Sequence, residues 1–86
     1  MRKQFDSCSY DELTCCITGR ISWIRESYRF LADRNTAQYG HIRVKVIIGI
    51  NTNKQEIKRL LNMRRVLKRS GLKNWDSDKL DEKAKV

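Results

Sequence analysis

Three cysteines, one histidine and ten carboxylates are the side chains here whose types could make or break bonds, and their spacing argues against catalysis. Cys8, Cys15 and Cys16 are an odd number without a CxxC pair. His41 is the sole imidazole, so neither a zinc set nor an internal disulfide framework is expected. The cysteines read first as reduced, small apolar side chains; an intersubunit disulfide, and redox or metal chemistry, are the alternatives. His41, beside Gly40, reads as a turn or interface residue. The carboxylates are scattered, and four glycines form neither GxGxxG nor GxxxxGK. No catalytic residue, cofactor, metal or small-molecule substrate is therefore expected, and the chain reads as non-enzymatic.

Charge is the chemistry that remains. Residues 37–73 hold ten Lys/Arg against one Asp/Glu, whereas residues 1–36 hold six against five and residues 74–86 three against four. A net +9 on 86 residues attracts polyanions or acidic protein surfaces, and the middle of the chain is where the partner should meet it. No apolar run approaches the roughly 18 residues of a membrane span, and the first residues lack a secretory apolar core, so a soluble, cytoplasmic protein is expected. Leu, Ile, Val and Phe make up about a quarter of the chain, thin for a self-sufficient core at this size. One domain over 1–86 is expected, and it is expected to be an obligate oligomer.

The elements that must position these charges follow from periodicity. Ser9 with Glu12 forms a capping box and opens a helix over 9–34. On it Tyr10, Leu13, Ile17, Ile21, Ile24, Tyr28 and Leu31 fall in a stripe about 80° wide. Cys16, Trp23 and Phe30 recur every seven residues on a neighbouring face. The first stripe predicts a dimer or tetramer seam of Ile17, Ile21, Ile24, Tyr28 and Leu31, the alternative being burial within one subunit. Trp23 and Phe30 are assigned to a second contact, within the oligomer or with the target. Gly19 inside the helix is read as a close helix crossing.

From Ile42 to Ile50 apolar residues alternate with Arg43, Lys45, Ile47 and Gly49, which predicts a strand over 41–50. A lone strand must pair with its copy in another subunit or with a partner's edge. Thr52 with Gln55 suggests a second helix, 52–70, ending at Gly71. Lys54, Lys58, Arg65 and Arg69 line one exposed face of it. Arg64 and Lys68 project into its apolar side and either snorkel or meet Glu26 or Asp33. Residues 1–8 read as an N-terminal arm, and 72–86 as a weakly ordered tail, flexible or a short helix, with Trp75 and Leu80 its anchors. The fold class expected is α+β, mainly helical. Arg43, Lys45, Lys58, Arg65 and Arg69 are the expected partner contacts.

Two resemblances bear on what those contacts meet. Outward Arg43, Lys45 and Ile47, then a capped helix and Gly71-Leu72, resemble over residues 41–80 the order of a ribbon-helix-helix protein. That likeness implies direct nucleic-acid binding by a two-fold basic β-ribbon. In size, soluble character, doubled apolar helix over 9–34 and lack of catalytic groups, the chain is similar to the small phage antirepressors. That likeness implies a non-enzymatic, self-associating protein in transcription regulation, which binds a DNA-binding repressor and removes it from its operator.

Overall fold

The computed structural model describes residues 5–84. Three helices account for its architecture: α1 over Tyr10–Ala32, α2 over Gly40–Ser70 and α3 over Ser77–Ala84, with a 3-10 turn at Arg34–Thr36 joining the first two. α1 and α2 form an antiparallel hairpin 49 Å long and 22 Å across, and α3 folds back onto the open end of the hairpin.

The capping box forms as expected. Ser9 Oγ accepts the Glu12 N–H at 3.1 Å, and Glu12 Oε1 accepts the Ser9 N–H at 3.3 Å, supplying two of the four donors a helix start leaves unpaired. Ser9→Ala should cost about 1 kcal/mol, seen in a thermal melt as a fall of roughly 4–8 °C. An unchanged midpoint would mean that the box contributes nothing. At the other end of α1, Thr36 pins the turn: its buried hydroxyl lies 2.8 Å from the carbonyls of Phe30 and Asp33 and accepts Arg43 Nη1 at 2.7 Å.

The expected strand is absent. Residues 41–50 are helical, continuous with 52–70, so among the described residues the fold is all-α and not α+β; one isolated bridge, Ser9 to Asn74, is the only β pairing among them. The reason is the backbone argument that made the strand need a partner. Among the described residues nothing supplies a second strand, whereas a helix satisfies each N–H and C=O internally. The alternation survives on a helix as two faces, because every second residue advances about 200°. Val46 and Ile50 turn inward, half-buried and buried, while Val44 and Ile48 face out at 56% and 59% exposure.

The helix start expected at Thr52 with Gln55 does not occur, because α2 runs unbroken through Asn51-Thr52-Asn53. Asn53 donates to the Gly49 carbonyl at 2.8 Å and accepts Arg20 Nη1 from α1 at 2.9 Å, so its amide bridges the helices and does not compete for a turn. Gly71 ends α2 as expected, with φ +75°, a conformation open to glycine at little cost.

The core lies at the proximal end, away from the Arg34–Thr36 turn. Leu13 and Ile17 of α1 meet Leu60, Met63 and Leu67 of α2, and Phe5, Trp75 and Leu80 close over them. The segment expected to be weakly ordered thus completes the core. Trp75 exchanges backbone hydrogen bonds with the arm, its N–H donating to Cys8 O at 2.8 Å and its carbonyl accepting Ser7 N–H at 2.9 Å. Asp6 accepts hydrogen bonds from both the N–H and the hydroxyl of Ser77 at the start of α3.

Candidate binding surfaces

Helical spacing sets Lys54, Lys58, Arg65 and Arg69 within about 60° of one another on the outer face of α2. All four are exposed. Lys54 reaches α1, its ammonium 5.6 Å from the centre of the Tyr28 ring. Among the described residues Lys58, Arg65 and Arg69 form no ion pair. Glu56 is the single acid of α2, and it already faces two cations, Arg20 at 4.0 Å and Arg59 at 3.7 Å. The ridge is therefore a uniformly positive strip whose charge α2 itself does not neutralise.

Beside the ridge, α2 and α3 enclose an open groove of about 800 Å³. Leu61, Met63, Trp75 and Ala84 give it an apolar lining, and Lys58, Arg59 and Arg65 stand around it. Asp81, the one carboxylate in its wall, accepts Trp75 Nε1 at 3.1 Å, and Asn62 donates to the Ala84 carbonyl at 2.7 Å. The groove can thus hold an apolar side chain while its rim attracts negative charge.

The remaining expected contacts are dispersed. Arg43 is half-buried and tied to Thr36; Lys45 is exposed near the turn. Arg64 meets neither Glu26, which pairs with Arg29 at 3.0 Å, nor Asp33, which caps Asn35. Its guanidinium donates to Thr14 Oγ1 at 3.1 Å and lies 5.1 Å from the Tyr10 ring centre. Along the α1 stripe, Ile17 is buried in the core and Ile24 and Leu31 are half-buried, while Ile21 and Tyr28 stand exposed at 38% and 48%. Phe30 is half-buried, and Trp23, though 42% exposed, lays its ring on Gly49. The close approach of the helices is at Gly49 and not at Gly19, around which an added Cβ would meet nothing.

Cys15 and Cys16 are exposed on α1, Cys8 packs half-buried on the core and His41 is exposed in the first turn of α2. Among the described residues no three His, Cys, Asp or Glu side chains gather into a possible metal site, and no helix is long and apolar enough to cross a membrane. Sequence reasoning missed two features. The groove needs α3 docked on α2, and the sequence, which offered a short helix in 72–86 as one alternative, carried no sign of where it would pack. The outward apolar face at Val44, Ile47 and Ile48 was concealed by reading its residues as a strand. Comparison with protein-family models, with curated proteins and with solved structures returns no match.

Proposed function

We propose that this chain is a non-enzymatic gene-control protein of the antirepressor type, acting in the cytoplasm by binding a DNA-binding repressor and removing it from its operator. The observation that carries this reading is the α2–α3 groove, with its apolar lining and the Lys58 and Arg65 rim. Such a site suits an acidic, amphipathic segment: one apolar side chain enters the groove, and carboxylates meet the ridge that continues to Arg69.

The purified protein should release a cognate repressor from labelled operator DNA while leaving the free operator unshifted. Lys58→Glu/Arg65→Glu should weaken release by about tenfold or more, since each change replaces attraction by repulsion across the rim. A double variant that keeps its helical signal and releases repressor as well as the unaltered protein would end the proposal.

Direct nucleic-acid binding is the second reading, favoured by the exposed row Lys54, Lys58, Arg65 and Arg69. Without strands at 41–50 the ribbon-helix-helix route is closed, and contact would be through a helix face to phosphates. A shift of random duplex at low salt, vanishing steeply as salt rises, would select it over the first.

A further inference from the structure

The distal half of the hairpin, from the Arg34–Thr36 turn to the Asn53–Arg20 bridge, has two helices and, among the described residues, no third element to cover them. On α2 the outward residues Val44, Ile47 and Ile48 are 56%, 48% and 59% exposed. They stand three and four apart, so they form one apolar patch. Ile47 lies seven residues before Lys54, on the same face, and the Lys54 ammonium lies over Tyr28. Tyr28 stands beside that face, and Ile21, seven residues back along α1, lies on the same side of α1 toward the Arg20–Asn53 bridge.

We infer that this patch is the two-fold interface of a homodimer, in which the distal halves of two chains pack as a four-helix bundle. Two observations choose a second copy as the occupant. The first is surface: the chain exposes 6627 Å². A compact monomer of 10.2 kDa exposes about 5,300 Å². The excess, about 1,300 Å², exceeds the roughly 800 Å² that one partner contributes to a standard interface. The second is shape: the radius of gyration is 16.1 Å against about 12 Å for a globular chain of this length, the form of half an assembly. An identical apolar patch is also self-complementary under a two-fold axis. The basic ridge begins where the patch ends, so the dimer carries one free ridge on each chain.

This assignment stands independently of the repressor reading, because its readout is mass and needs no target. Sedimentation at micromolar concentration should give twice the chain mass. Ile48→Glu places two charges in the interface, one from each copy, and should raise the dissociation constant about 100-fold while the helical circular dichroism stays unchanged. Leu72→Glu, exposed at the proximal end, should leave the dimer intact. A single-chain mass for the unaltered protein overturns the inference, as does a folded Ile48→Glu chain that remains dimeric. Should Ile48→Glu lose its helical signal, Ile47→Lys makes the same test from the neighbouring position, with dissociation expected and a persistent dimer overturning the inference.

Discussion

Trp75→Ala should destabilise the fold by about 3–5 kcal/mol, the range for removing a large aromatic from a packed core. A chain of this size has roughly 4–13 kcal/mol in total, with small domains toward the lower end, so much of the variant population should be unfolded at 25 °C. The size of the effect follows from what the residue joins. Its side chain is 3% exposed, in the buried core with Phe5 and Leu80. Removing the indole also takes the Nε1 donor away from Asp81 Oδ1. The Trp75 backbone is the clamp for Ser7 and Cys8, so a cavity here loosens the arm, α3 and the hairpin's open end together. Trp75→Phe, which keeps most of the volume and loses the Nε1 bond, should cost less than half as much. Urea unfolding followed by circular dichroism decides: a cost below about 1 kcal/mol for the alanine variant would show that the indole does not hold the core closed.

The order of the core explains which parts of the fold were legible in the sequence. Local signals held at the start of α1 and the end of α2, whereas the equally local Thr52–Gln55 pair lies unused inside α2. The Ser9–Glu12 box starts α1 and Gly71 stops α2, because both features need only the few residues around them. Arg64 and Gly19 failed because their partners are distant in sequence: the Arg64 guanidinium finds Thr14, and the close crossing lies at Gly49. The 41–50 segment failed for a third reason. Ile42, Val44, Val46, Ile48 and Ile50, β-branched and in strict alternation, are the strongest strand signal in the chain, yet that signal is contingent on a neighbouring strand. With α1 alongside, the same residues gain burial on one side as a helix and leave the other side bare. Of the candidate site, the ridge Lys58, Arg65 and Arg69 was legible because helical spacing is enough to align it. The groove was not, since Leu61 and Trp75 become neighbours only after α3 docks.

Gly49 is where two opposing effects can be separated by measurement. A Cβ there would fall 3.2 Å from Cζ2 and Cζ3 of Trp23 and closer still to Cη2, so the ring or the helix pair must shift. Against this, alanine is favoured over glycine inside a helix by about 1 kcal/mol. Trp23 is 42% exposed, which lets it swing outward, but doing so gives up its contact with α2. Gly49→Ala should therefore destabilise by about 1 kcal/mol with Trp23 present, the collision outweighing propensity. Gly49→Leu should cost about 2–3 kcal/mol, because the longer side chain holds the helices apart as well as displacing the ring. In a Trp23→Ala background the sign should reverse for alanine: with the ring gone, propensity alone remains and Gly49→Ala should stabilise by roughly 0.5–1 kcal/mol. The two backgrounds differ by a coupling of about 1.5–2 kcal/mol, within the range of residues in direct contact. Strict additivity in that cycle would mean that the ring does not rest on Gly49 in solution. The packing of the distal half, on which the exposed outer face of α2 depends, would then have to be drawn differently.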